Sequence, residues 1–220
     1  MPIFRFPDPR RANRDGVVAV GGGLEPEVLL SAYRQGIFPW PVAALPLLWF
    51  CPAERGILEF ADLHLSRSLV RARRRASLRF TIDKAFAEVI GFCADVPRPG
   101  QDGTWITAEI IAAYVRLHEM GVAHSVEAWR GSSLVGGVYG VDVDGAFAAE
   151  SMFHREPDAS KLALWYLVDH LRSFGLEWID IQVVTPHLAR MGAKAISREV
   201  FLRKLAGTRA RNFKLFPGRK

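Results

Sequence analysis

The sequence predicts an α+β protein: a small α/β N-terminal domain over residues 1–56, then a larger domain over 57–220 in which helices pack on an antiparallel meander. Three observations predict this. Half of the 220 residues are hydrophobic and 24% are charged, which supplies a real core and argues against disorder. Between residues 125 and 153, three alternating apolar stretches are divided by Gly131-Ser132 and Asp144-Gly145, the turn chemistry of hairpins. Stretches with apolar residues three and four apart, several of them closed by glycine, lie on either side.

In order along the chain, residues 1–56 are rich in Pro and Gly. They read as a loop through Asp15, a strand around Val17 to Val20, a turn at Gly21-Gly22-Gly23 and a helix from Glu25 or Pro26 to about Gln35, stopped by Gly36. The three glycines are not a phosphate loop, because no Lys and Ser/Thr follow them into the helix and they lack dinucleotide-fingerprint spacing. A helix over His64 to Ala76 places Leu65, Leu69, Ala72 and Ala76 on one stripe, with Arg67, Arg71 and Arg74 opposite. Leu78 to Ile82 alternates as a strand, Lys84 to Cys93 reads as a helix and Arg98 to Gly103 as a loop. Thr107 caps a helix running to Met120, with Ile110, Ile111, Tyr114 and Leu117 on its core side. The meander follows as Ser125 to Trp129, Leu134 to Asp142 and Ala146 to Phe153. A helix from Asp158 to Phe174 leads to the β-branched strand Trp178 to Val184, and Pro186 to Ala206 reads as two short helices around Gly192 and Ile196.

From residue 107 the order is helix, three antiparallel strands, helix, strand, helix, the pattern of an acyl-CoA N-acyltransferase-like (GNAT-like) domain. That order points to acyl transfer onto an amine. Acetyl-CoA enzymes of this type hold the pyrophosphate in a Gly-rich turn at the helix after the fourth strand. Here the connection from His154 to Lys161 contains no glycine, which disfavours coenzyme A as the donor.

Charge is unevenly placed. The chain carries +6 overall, with +5 over residues 1–80, −6 over 81–202 and +7 over 203–220. Within Ser66 to Arg79, Arg67, Arg71, Arg73, Arg74, Arg75 and Arg79 stand without one acidic neighbour, which suits a polyanion. Cys51 and Cys93 are too few for a disulfide scaffold or a tetrathiolate zinc site and read as small buried side chains in a reducing compartment. His118, His124, His154, His170 and His187 are spaced too irregularly for a metal site. The run Val42 to Phe50 is short and interrupted by Pro, and Pro2, Arg5, Pro7 and Pro9 open the chain where a leader would need apolar residues. A soluble cytoplasmic protein with no membrane partner is expected, and no heptad suggests more than a monomer.

Three sets of polar or aromatic residues are candidates for chemistry. Glu150 lies in the apolar run Phe147 to Phe153, where a carboxylate needs a partner or a task. Asp180 and Gln182 lie two apart on a strand and so share a face, a pair able to accept from and orient an attacking amine, or a structural hydrogen-bonded pair. Trp40, Trp49 and Trp105 are either core or stacking platforms for bases.

At these residues the chain resembles the bacterial leucyl/phenylalanyl-tRNA–protein transferases, from about Phe6 to Leu205. The motifs are Gly36-Ile37-Phe38-Pro39-Trp40, Leu63-His64-Leu65-Ser66-Arg67-Ser68, Gly103-Thr104-Trp105-Ile106-Thr107, Ala123-His124-Ser125-Val126-Glu127, Leu134-Val135-Gly136-Gly137-Val138-Tyr139-Gly140, Glu150-Ser151-Met152-Phe153 and Ile179-Asp180-Ile181-Gln182-Val183. The resemblance implies transfer of Leu or Phe, with Met a further candidate, from aminoacyl-tRNA to the α-amino group of proteins that begin with Arg or Lys. That transfer marks the acceptors for N-end rule degradation.

The resemblance makes Asp180 and Gln182 the catalytic pair, with Gln182 contacting the amine and Asp180 orienting or polarising it, and puts Glu150 beside the ester. Trp40 and Trp105 would enclose the terminal adenosine, while Val138, Phe147, Leu167 and Ile179 would line the amino-acid pocket. Arg67, Arg71, Arg74 and Arg75 would grip the acceptor stem. The activated ester requires no cofactor or metal. The chain departs from the pattern at Val138, where Met is frequent, at Ala149, where Gly is usual, and at Thr185-Pro186, where an Asn-containing turn is common. An acetyl-CoA-dependent N-acetyltransferase, or an RNA-binding protein using the Arg helix alone, are the alternatives.

Overall fold

A computed structural model describes residues 5–42, 45–75, 77–96 and 104–218. Pro2, residues 43 and 44 of the apolar run, Ala76 of the expected stripe and the expected loop Arg98 to Gly103 lie outside them. Near the N-terminus, β1 (Val17–Val20), β2 (Phe38–Trp40) and β3 (Leu48–Phe50) form an antiparallel sheet in the order β1-β3-β2. Between β1 and β2 runs α1 (Pro26–Arg34), with Pro in its first turn, where its missing N–H costs nothing, and Leu29, Ala32 and Tyr33 buried at helical spacing.

The second sheet has seven strands in the order β10-β4-β9-β8-β7-β6-β5. They are β4 (Glu54–Glu59), β5 (Arg79–Ile82), β6 (Ala123–Arg130), β7 (Ser133–Val143), β8 (Ala146–His154), β9 (Trp178–Gln182) and β10 (Lys194–Ser197). The helices are α2 (Arg67–Arg75), α3 (Phe86–Ala94), α4 (Ala108–Glu119), α5 (Ala159–Ser173), α6 (Pro186–Ala189) and α7 (Arg198–Arg211). The expected meander forms β6, β7 and β8, and Thr107 caps α4 by accepting from the Ile110 N–H at 3.3 Å. Strands β8 and β9 run parallel, so their connection needs the crossover helix α5.

The sheet alternates its side chains between two cores. One core holds Tyr139, Val141 and Trp178 with residues of α1, α3 and α4; the other holds Val138, Phe147 and Ile179 against α5. The fold is therefore mixed α/β, and the line expected after residue 56 falls inside β4. Among the described residues no helix is long and apolar enough to cross a membrane. Cys51 and Cys93 are buried free thiols.

Two expectations are corrected. Ile196 lies in strand β10, which pairs antiparallel with β4, not in a short helix; α7 begins directly after it. Four residues carry too little periodicity to announce a strand whose stability comes from a partner some 140 residues earlier. The strand expected to reach Val184 stops at Gln182, whose φ of +56° ends the extended conformation.

Candidate active site

The parallel pair β8 and β9 is in register only at Ala148 and Asp180. Beyond that point a cavity of about 450 Å³ opens, lined by Trp40, Trp105, Leu164 of α5 and Leu188 of α6 among others. Two bulges aim polar side chains into it. On β8, Ser151 faces Tyr139 and Ala149 faces Gly140, leaving Glu150 as the extra residue; Gly140 has no room for a side chain, since a Cβ would lie 2.3 Å from the Ala148 carbonyl oxygen. On β9, Gln182 faces Gly56 and Asp180 faces Ile57, leaving Ile181 extra. A bulge breaks the alternation of a strand and re-aims the side chains around it. Glu150, Ile181 and Gln182 all line the cavity as a result, whereas Asp180 does not.

Asp180 is held in a buried ion pair outside the cavity lining. Arg55 of β4 donates from Nε to Asp180 Oδ1 at 2.8 Å and from Nη2 to Oδ2 at 2.6 Å. Both side chains are almost completely buried. Asp180 Oδ1 also accepts the Gln182 backbone N–H at 2.9 Å. The backbone at Gln182 forms a three-residue turn, closed by the Val183 N–H donating to the Ile181 carbonyl at 2.6 Å. A non-glycine residue at positive φ in such a turn is strained by roughly 1–3 kcal/mol, a cost found at functional sites where the surroundings enforce it.

The Gln182 side chain donates from Nε2 to Glu150 Oε1 at 2.9 Å. Glu150 is only partly exposed, and burial drives its pKa up to about 8, the Tyr33 hydroxyl bond opposing the rise, nearby Asp180 adding to it and Arg55 opposing it. Tyr33 of α1 is itself bonded to the Tyr114 hydroxyl of α4, and burial raises both phenols well above their ordinary value. A carboxyl that is neutral at pH 7 and ionises near pH 8 is a group able to exchange a proton in the working range.

Trp40 and Trp105 stack on each other with centroids 5.4 Å apart and planes 17° from parallel. Trp40 belongs to β2, while Trp49 is a core residue whose indole N–H donates to the Gly21 carbonyl at 2.8 Å. Of the four residues expected in the amino-acid pocket, Val138 lines the cavity; Phe147, Leu167 and Ile179 lie in the core with Val138 and not in the lining. The three positions of departure, Val138, Ala149 and Thr185, all line it.

Arg67, Arg71, Arg74 and Arg75 are exposed on α2 and form no ion pair among the described residues. Arg73, counted above with the unaccompanied arginines, instead donates to Asp169 of α5 at 2.9 Å and stacks over Trp165 at 4.0 Å. A separation of 96 residues hides that pair from the sequence. It docks α2 on the same helix whose Leu164 lines the cavity. Arg55 and Tyr33 do not stand out in the sequence, and Tyr114 stands out there only as a core residue. The only visible signal for Arg55 was a charge beside the apolar pair Ile57-Leu58.

Comparison with known proteins bears on this arrangement. Residues 57–206 match the model of the family described as leucyl/phenylalanyl-tRNA protein transferase, and residues 22–53 match the one described as its N-terminal domain. The chain is 55% identical over 212 residues to the leucyl/phenylalanyl-tRNA–protein transferase of Anaeromyxobacter sp. (strain K), covering 94% of this chain and 91% of that one. It is 51% identical over 212 residues to the protein of the same name from Syntrophobacter fumaroxidans, with the same coverage. Among solved structures, a ribosomal-protein-alanine N-acetyltransferase from Brucella melitensis biovar Abortus 2308 is similar at 18% identity and a TM-score of 0.31, over 44% of this chain and 74% of that one.

Proposed function

Because the chain belongs to the leucyl/phenylalanyl-tRNA–protein transferase family and is an aminoacyltransferase, we propose that it moves Leu or Phe from aminoacyl-tRNA to the α-amino group of proteins with N-terminal Arg or Lys. Those acceptors would then enter N-end rule degradation. The observation that carries this reading is the convergence of Glu150 and Gln182 on an apolar cavity walled by two stacked tryptophans.

The chemistry is nucleophilic attack of an amine on an ester, through a tetrahedral intermediate, with the ribose oxygen of the tRNA leaving. The ester is already activated, so no cofactor enters the scheme. Terminal adenine stacks against Trp40 or Trp105, and the aminoacyl side chain enters the apolar part of the cavity beside Val138 and Met152. Gln182 uses Nε2 on Glu150, which leaves its Oε1 to accept from the incoming amine. Glu150 takes a proton from the acceptor's α-ammonium, freeing the amine to attack, and the proton that the nitrogen sheds in the tetrahedral intermediate goes to the departing ribose oxygen. The Glu150 pKa of about 8 is close to that of a free α-amine, about 7.7–8.0, so the first transfer is nearly balanced. Holding amine and ester together supplies the larger share, roughly 7–11 kcal/mol.

The test is transfer of labelled Leu or Phe from charged tRNA to peptides beginning with Arg, Lys or Ser. Transfer to the Arg and Lys peptides alone is expected; equal labelling of the Ser peptide, or none of any, contradicts the reading. A second result concerns the donor. Val138 is shorter than the Met frequent at this position and sits in the cavity wall, so Phe is expected to be transferred at least as fast as Leu when both charged tRNAs compete. A methylene of fit changes selectivity by only about 10- to 200-fold, so a Leu rate far above the Phe rate would refute this.

A further inference from the structure

Arg55 takes no part in the scheme above, yet it is a full charge at 1% exposure. Its guanidinium lies between the rings of Phe38 and Phe201, 4.5 and 4.4 Å from their centroids. An ion is kept in such surroundings only when its donors are matched. Two of its nitrogens hold the two oxygens of Asp180, and Nη1 donates to the Gly36 carbonyl at 3.0 Å, between α1 and the strand that carries Trp40. The next residue, Gly56, lies so close under the turn that a Cβ would sit 2.9 Å from both the Val183 carbonyl carbon and the Val184 nitrogen. Strand β4 thus supports the turn at Gln182 twice, through the Gly56 backbone and through the ion pair.

We propose that Arg55 is a positioning residue for the transfer: by holding both oxygens of Asp180 it fixes that carboxylate as the acceptor for the Gln182 backbone N–H, and so sets the turn that aims the Gln182 side chain at Glu150 and the amine. Asp180 then acts by holding the turn and takes no proton. Its Oδ1 already accepts from Arg55 and from Gln182, its Oδ2 accepts from Arg55, and it has no share in the cavity wall. The ionisable groups facing the pair are Glu150 from β8 and Cys51, whose thiol burial pushes up. The inference rests on the aminoacyl-transfer reading and adds to it the residue that orders the site.

The experiment compares wild type, Arg55→Gln, Arg55→Lys, Asp180→Asn and the Arg55→Gln/Asp180→Asn double variant, measuring kcat and KM for charged tRNA from pH 6.5 to 9. Because Arg55 works through Asp180, Arg55→Gln and Asp180→Asn are each expected to lower kcat at least about 50-fold, with KM moving less than about threefold and the double variant no slower than the worse single one. Arg55→Lys, which keeps the charge, is expected to recover about tenfold over Arg55→Gln. Asp180→Asn is expected to keep the wild-type rise of rate with pH. Thermal unfolding of the double variant above both single variants, as expected when both partners of a buried pair are removed, shows that lost folding does not explain its slowness. A pH-flat Asp180→Asn enzyme would make Asp180 the base and overturn the proposal, as would multiplied losses or a double variant at the wild-type rate. Absence of transfer by the wild type would instead remove the reading on which the proposal rests.

Discussion

Glu150→Gln is expected to lower the rate of transfer at least about a hundredfold at pH 8, the scale of a lost general base, and to make the protein more stable. The two effects have one cause. In the unfolded chain Glu150 titrates near 4.5; in the native fold burial moves it to about 8. Between those values the native state keeps a proton that the unfolded state has released, so stability falls as pH rises through the window and stays low above it. Gln keeps the shape and the hydrogen bonds but does not titrate. At about 1.4 kcal/mol for each pH unit across the window, the variant gains several kcal/mol above pH 8 and nothing below pH 4.5. Melting temperatures of both proteins at pH 4.5, 6.5 and 8.5 check this, the difference growing with pH. A difference independent of pH would show that Glu150 does not carry the proton.

Changing Arg67, Arg71, Arg74 and Arg75 together to Gln is the second large effect. These four charges are exposed, unpaired among the described residues and on one helix. An RNA stem is gripped by its phosphates, and each neutralised phosphate contributes about 0.7–0.9 to the slope of log affinity against log salt. The quadruple variant is expected to raise KM for charged tRNA about a hundredfold or more near 0.1 M salt and to flatten the salt dependence of kcat/KM by about three, leaving kcat unchanged. Transfer from an aminoacyl-adenosine, which lacks the stem, should not change. A loss confined to kcat, or an unaltered salt slope, would contradict a stem-binding role. Arg73 belongs outside this set, because its replacement would undock α2 from Trp165 and Asp169.

The parts of the molecule legible in the sequence are those fixed by local rules. The meander is written in alternation and two turn dipeptides, and α4 in the Thr107 cap and the spacing of Ile110, Tyr114 and Leu117. Strands β2, β3, β4 and β10 were not legible, because three to six residues carry little pattern, and β4 and β10 also lie far apart along the chain. The candidate site divides the same way. Glu150 stands out as a carboxylate in an apolar run, and Asp180 and Gln182 as a polar pair on a β-branched strand. Their actual relation was hidden by two bulges: period-two reasoning puts Asp180 and Gln182 on one face, whereas the extra residue Ile181 and the turn at Gln182 bring Gln182 into the cavity wall and leave Asp180 out of it. Arg55 lies 125 residues from Asp180, and no local pattern connects them.

A crystal structure of the protein with a non-hydrolysable phenylalanyl-adenosine would show directly whether the cavity holds the aminoacyl end of the donor. Adenine is expected stacked on Trp40 or Trp105, the phenyl ring against Val138 and Met152, and the linkage that replaces the ester within hydrogen-bonding reach of Gln182 or Glu150. Ligand bound elsewhere, with the cavity between β8 and β9 empty, would contradict that expectation.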